Sequence, residues 1–267
     1  MMNILEEILA HKRREVKEHS ELYPAKLLER SPYFNAKPVS LAKYLERKEL
    51  CGVIAEFKRK SPSKGVINEY ADPAEVCLEY MQAGASALSV ITDSNYFAGS
   101  NQDLVTARKF NYCPILRKDF IVDKYQVTEA RSIGADAILL IAEVLSKDEL
   151  QALFRFATDL GLEVLFEVHS TENLEKLPAD AQMVGINNRN LKNFDVNVEK
   201  SLELVSQLPP DVLKVAESGI DSPRTAAMLL NKGFSGLLMG ERFMREASPG
   251  TACKLFISKL KKQMNHS

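Results

Sequence analysis

The chain has 267 residues, 45% hydrophobic and 27% charged, with a net charge of −1. That balance fits a folded protein with a substantial core and excludes a global basic field for gathering nucleic acid, so an anionic ligand must be held by a few placed cations. No apolar run approaches the roughly 18 residues needed to span a bilayer, and the charged stretch 1–20 lacks the apolar centre of a signal peptide, so no membrane partner and a cytoplasmic location are expected.

In chain order, residues 1–48 carry no strand signal. Ile4, Leu5, Ile8 and Leu9 are spaced as one helix face, which predicts an N-terminal helical extension. Eight short, apolar, β-rich runs follow, at 53–57, 87–92, 114–118, 137–142, 163–168, 183–187, 213–217 and 236–240, their starts about 20 to 34 residues apart. Each is too short for a helix and ends in polar or glycine-rich residues. Helical patterns fill the gaps. Asp72-Pro73 offers an N-cap and an N1 proline, Ser146 to Glu149 a capping box, and Ser222-Pro223 and Ser248-Pro249 further helix starts.

Eight strand–helix repeats predict a parallel sheet, because each helix is a crossover. A doubly wound open sheet is the rival. Eight units in this length favour closure, and no GxGxxG follows the first run. The fold class is therefore α/β, a (β/α)8 TIM barrel in one domain over 1–267, with the extension at 1–48 and the barrel at 49–267. Cys51, Cys77, Cys113 and Cys253 form no CxxC pair and read as buried thiols. His11, His19, His169 and His266 show no metal-ligand spacing, so no metal is expected.

In this fold reactive groups lie at the C-terminal ends of the strands. Side chains alternate along a strand, so Glu56 and Lys58 share a face. The other run ends supply Lys118, Glu167, Asn187, Arg189, Glu217 and Ser218. Three carboxylates then meet three cations, Lys58, Lys118 and Arg189. A salt-bridge network that merely stabilises the barrel end could use the same residues. Ionisable groups concentrated in one cavity are, however, what acid–base catalysis requires. Neighbouring cations and an apolar wall are expected to lower the pKa of a lysine acid. Ser218-Gly219 and Gly240 let backbone N–H groups approach an anion, which points to phosphate. The stretch 59–65, with its cations, hydroxyls and glycine, reads as a lid that brings Lys58 to a substrate.

Several segments together resemble the indole-3-glycerol-phosphate synthase family: Ile54-Ala55-Glu56-Phe57-Lys58-Arg59-Lys60-Ser61-Pro62-Ser63, Leu116-Arg117-Lys118-Asp119-Phe120, Phe166-Glu167-Val168, Gly185-Ile186-Asn187-Asn188-Arg189-Asn190-Leu191 and Ala216-Glu217-Ser218-Gly219-Ile220. They stand in the family's order, and the likeness spans essentially the whole chain. It implies a cofactor-free lyase of tryptophan biosynthesis. The substrate would be 1-(2-carboxyphenylamino)-1-deoxyribulose 5-phosphate, closed with loss of CO2 and then dehydrated to indole-3-glycerol phosphate.

By the same resemblance, Lys118 is the general acid of ring closure and Glu167 the acid–base residue of dehydration, supported by Glu56. Lys58 partners the substrate's anionic groups and serves as an acid in dehydration. Asn187, Arg189, Glu217, Ser218 and Ser61 bind and orient substrate. Phe97, Phe120 and Leu139, with Pro62 beside them, form the apolar pocket, while Gly219, Gly240 and Glu241 form the phosphate site with Lys58. Many relatives have serine where Glu241 stands. A carboxylate repels phosphate, so the Glu241 side chain is expected to point away and leave only its N–H. The small sugar phosphate is the expected partner, and a monomer is expected, open to weak association with other enzymes of the pathway. The alternatives are another phosphate-binding barrel, such as an isomerase of an aminated sugar phosphate, and a non-catalytic metabolite-binding barrel.

Overall fold

The computed structural model describes residues 4–189 and 198–264, the side chains of Val198 and Lys200 excepted. Asn190, Leu191 and His266 lie outside the described residues. The strands are β1 (Val53–Phe57), β2 (Ala87–Ile91), β3 (Ile115–Lys118), β4 (Ala137–Ile141), β5 (Glu163–Val168), β6 (Met183–Asn187), β7 (Leu213–Glu217) and β8 (Gly236–Met239). They pair in parallel in chain order, and β1 closes the ring by pairing with both β8 and β2. The chain is a TIM barrel.

Alternation sorts the interior. Ile54, Leu116, Leu139, Ile141, Leu165 and Leu238 point inward and fill the barrel. Val53, Phe57, Val90, Ile138, Leu140 and Phe166 point outward against the helices. These are α1 (Ile4–Leu22), α2 (Ala25–Leu28) and α3 (Leu41–Leu45) before the barrel, then α4 (Pro73–Gln82), α5 (Asn101–Phe110), α6 (Lys124–Ser132), α7 (Lys147–Asp159), α8 (Thr171–Leu174), α9 (Val198–Val205), α10 (Pro223–Asn231), α11 (Glu241–Met244) and α12 (Pro249–Met264). Sequence capping signals act as such: Asp72 accepts from the Ala74 amide, Ser146 and Glu149 cap reciprocally, and Ser222 accepts from the Thr225 amide.

The extension reaches both ends of the barrel. At the N-terminal end, Leu41 and Leu45 of α3 join the inner cluster, each worth roughly 1.5–3 kcal/mol of burial. Ser40 Oγ and the Ala42 amide both donate to Glu163, at 2.5 and 2.9 Å. Leu45 lies so close to Gly236 that a Cβ there would sit 3.2 Å from Leu45 Cδ2. At the C-terminal end, α1 lays Ile4, Leu5 and Ile8 along the mouth.

Candidate active site

The C-terminal end holds a cavity of about 520 Å³. Its floor is built by residues that continue the inward-facing rows. Glu56, Lys118, Glu167, Asn187 and Glu217 each follow, two positions on, a residue that fills the barrel or lies on its inner face. Lys118 Nζ lies 3.2 Å from Glu167 Oε2 and 3.6 Å from Glu217 Oε2. Lys58 Nζ lies 3.0 Å from Glu56 Oε1, and Ser89 Oγ donates to Glu56 at 3.4 Å. Asn187 Nδ2 donates to Glu167 Oε1 at 3.1 Å, and His169 Nε2 lies 3.3 Å from that same oxygen.

These contacts set the protonation states. Burial alone would lower the Lys118 ammonium. Glu167, Glu217 and Glu56 outweigh it and hold the pKa well above the usual lysine value. The expectation of a lowered lysine is therefore wrong, because its immediate neighbours are carboxylates and the other cations sit farther out. Burial would raise Glu167, but Lys118, His169 and Asn187 bring it below the usual carboxylate range. Glu217 goes the other way. Burial, and then the charge of Glu167, push it well above that range. The two neighbouring carboxylates are thus pushed in opposite directions, a division that suits separate acid and base tasks.

Two glycines make room for these acids. A Cβ on Gly185 would lie 2.1 Å from Glu217 Oε1, and one on Gly240 would lie 2.7 Å from Glu56 Oε1. Among the described residues that Glu217 oxygen has no hydrogen-bond partner. After β7 the chain turns through two left-handed residues, Ser218 at φ 65° and Gly219 at φ 72°. The non-glycine one costs roughly 1–3 kcal/mol. Asn188 steadies it, donating from Nδ2 to the Ser218 carbonyl at 2.7 Å.

The apolar wall is formed by Phe97, Phe120, Leu139 and Pro62, with the two phenylalanine rings 6.2 Å apart. Lys58, Ser61, Arg189, Ser218, Gly219, Gly240 and Glu241 complete the lining, so every residue singled out from the sequence faces this one cavity.

The stretch 59–65 is more ordered than a simple loop. Lys60–Ser61 and Gly65–Val66 pair as a short antiparallel hairpin. Arg59 turns away from the cavity and grips Asp103 on α5 through two bonds of 2.7 and 2.9 Å. Glu241 also departs from expectation. Its side chain does not point away, but lies 3.5 Å from Lys64 Nζ and 3.4 Å from Arg189. Two nearby cations outweigh the tendency of a carboxylate to seek water.

Sequence reasoning missed the part played by α1. Ile4, Leu5 and Ile8 line the cavity, and Lys12 is wholly buried beneath them. Lys12 Nζ lies 2.9 Å from Asp93 and 3.1 Å from Asp119, which follow β2 and β3. Asp119 in turn accepts from Thr92 at 2.6 Å and pairs with Arg117, which reaches Glu129 on α6 at 2.6 Å. The helix periodicity pointed to a buried face here, but nothing in the spacing marked a lysine on it as buried.

A family model described as indole-3-glycerol phosphate synthase matches residues 5–256. The chain belongs to the indole-3-glycerol phosphate synthase family. A protein of that name from Bacteroides thetaiotaomicron is 45% identical over 258 residues, covering 96% of this chain and 98% of that one. Its namesake from Campylobacter fetus subsp. fetus is 42% identical, covering 94% and 98%. Solved structures extend the likeness to the fold alone. The tryptophan synthase alpha subunit of Legionella pneumophila superposes with a TM-score of 0.61 at 14% identity, covering 85% of this chain and 98% of that one. Membership of the indole-3-glycerol phosphate synthase family thus agrees with a barrel whose reactive face is lined by acids, cations and an aromatic wall.

Proposed function

We propose that this chain is an indole-3-glycerol phosphate synthase, a carboxy-lyase acting on 1-(2-carboxyphenylamino)-1-deoxyribulose 5-phosphate. Family membership and the names of its relatives support the activity. The observation that carries the chemistry is Lys118 held 3.2 Å from Glu167 and 3.6 Å from Glu217 on the cavity floor.

The substrate's phenyl ring lies against Phe97, Phe120 and Leu139, with its phosphate near the Gly219, Gly240 and Glu241 amides and its carboxylate near Lys58. Lys118 donates a proton to the carbonyl oxygen as the ring carbon bearing the carboxylate attacks the carbonyl carbon. Loss of CO2 restores the aromatic ring. The new hydroxyl then leaves as water, with Glu167 and Lys58 moving the protons and Glu56 holding Lys58. The raised pKa keeps Lys118 protonated at rest, as an acid must be. The lowered one keeps Glu167 ready as a base. Asn187 orients Glu167 through its hydrogen bond, and Arg189 and Ser61 bind and orient the substrate.

The reaction is redox-neutral and its acid–base work falls to side chains. A monomer in the cytoplasm belongs to the same reading, supported by four buried free thiols that suit a reducing compartment. Mixing the protein with the carboxyphenylamino sugar phosphate should produce indole fluorescence without any additive. A folded protein that consumes none of this substrate overturns the proposal.

A further inference from the structure

Beside the catalytic floor, three charged side chains form a second cluster that the acid–base chemistry does not use. Arg189 leaves the end of β6 and donates from Nη1 to Ser63 Oγ, at the tip of the hairpin, over 2.6 Å. Its Nη2 lies 3.4 Å from Glu241 Oε2. Lys64, also at the hairpin tip, brings Nζ to 3.5 Å from the other Glu241 oxygen. Glu241 sits directly after Gly240 and faces the cavity. One carboxylate therefore holds two cations at the end of the cavity where the substrate's phosphate is proposed to bind, and joins the hairpin to the barrel rim through both.

We propose that Glu241 is a specificity-determining residue: an internal carboxylate that pairs with Arg189 and Lys64 and yields them to a dianionic phosphate. The inference rests on the phosphate placement given under Proposed function. An incoming monoanion exchanges one single charge for another across the same two cations and gains nothing. A phosphate monoester carries a charge near −2 at neutral pH and three acceptor oxygens, so it alone gains by the exchange. The pairs are partly exposed, so each is weak enough to be displaced. When they open, Glu241 and the incoming phosphate repel each other, and the carboxylate swings out while its backbone N–H stays. The same exchange releases the hairpin tip from the rim and re-forms its link through the bound phosphate.

The test uses inorganic phosphate and acetate as probes, with binding to the full chain followed by calorimetry, alongside steady-state KM and kcat. Glu241→Gln should bind phosphate roughly three- to tenfold more tightly than the unaltered chain, and gain measurable acetate binding that the unaltered chain lacks. KM should fall in the same proportion. Lys64→Ala should weaken phosphate binding several-fold in the unaltered background. Unchanged or weaker phosphate binding in Glu241→Gln would mean that the carboxylate positions Arg189 rather than guards it, and would overturn the inference. Absence of phosphate binding in both proteins overturns it as well. Because the anion measurements need no turnover, a lack of ring closure would count against the enzyme assignment and leave this result readable.

Discussion

Two buried charge networks lie side by side at the C-terminal end of the barrel, and they are built to opposite ends. In the anchor, Lys12 lies between Asp93 and Asp119, and Arg117 between Asp119 and Glu129. Both Asp119 oxygens accept, Oδ1 from the Phe120 amide at 2.8 Å with Lys12 3.1 Å away, and Oδ2 from Thr92. In the catalytic network, Lys118 is shared by two acids, one Glu217 oxygen lacks a partner among the described residues, and the space above is open. Adjacent residues of one segment, Lys118 and Asp119, belong to different networks because the strand end turns their side chains apart. The contrast teaches that burial of charge by itself does not mark a site. Two acids shifted in opposite directions around one cation on a cavity floor do.

The comparison breaks most sharply at Lys118. Lys118→Met should cut kcat by about 10²–10⁴-fold, the range for loss of a general acid, while the melting temperature stays within a few degrees. Near-normal turnover would return the lysine to a structural role. The anchor predicts the reverse pattern. Lys12→Met leaves Asp93 and Asp119 short of a buried cation and should cost about 3–5 kcal/mol in urea unfolding. It should raise KM through the loosened α1 more than it lowers kcat.

The pH dependence of that stability follows from Asp119. Burial would raise its pKa, but Lys12 and Arg117 hold it below the ordinary value. A depressed carboxyl contributes stability above its unfolded pKa of about 3.9 and loses it as pH falls through the lower folded value. The acid limb of unfolding should therefore flatten in Lys12→Met, and an unchanged limb would remove Asp119 from the account.

Smaller changes probe the fit of the catalytic network. Gly240→Ala places a methyl 2.7 Å from Glu56 Oε1 and 3.0 Å from its Cβ, so Glu56 must shift and disturb Lys58. A loss of roughly 10- to 10²-fold in kcat/KM is expected from such a displacement. Smallest of all is Glu217→Gln. Burial and Glu167 raise the pKa of this acid, so an amide of the same shape should cost less than about tenfold in kcat. Glu167→Gln, which removes an ionised base, should cost at least ten times more. Equal losses from the two would refute the division of protonation states.

The strands were legible because period-two alternation and punctuating turns are local. The runs at 53–57, 163–168, 183–187 and 213–217 match β1, β5, β6 and β7 in extent, and the other four differ by one terminal residue. The barrel mouth was legible for the same reason, since strand ends name their own side chains. What stayed hidden depends on distant partners. A lysine on an amphipathic helix reads as solvated, and only folding brings Asp93 and Asp119 to Lys12. The raised pKa of Lys118 was hidden because composition lists acids and cations without saying which are neighbours. Glu241 was misread because Lys64 and Arg189 approach it from separate segments. Gly240 offered a phosphate turn to the eye, while its close approach to Glu56 needed the register of β1 against β8.

The extension carries a consequence for the order of events during synthesis. It leaves the ribosome before the barrel, yet part of the surface that α3 needs is made last. Leu45 packs beside Val215 and against Gly236, which belong to the final two strands. Leu41 and Leu45 must wait for nearly the entire chain before the barrel's lower opening exists to be stoppered. A nascent chain stalled before β8 would expose Leu41 and Leu45 together with the unclosed edges of β1 and β7. Ring closure of the protein thus commits both of its openings at once, and a half-made barrel has neither its base nor its mouth.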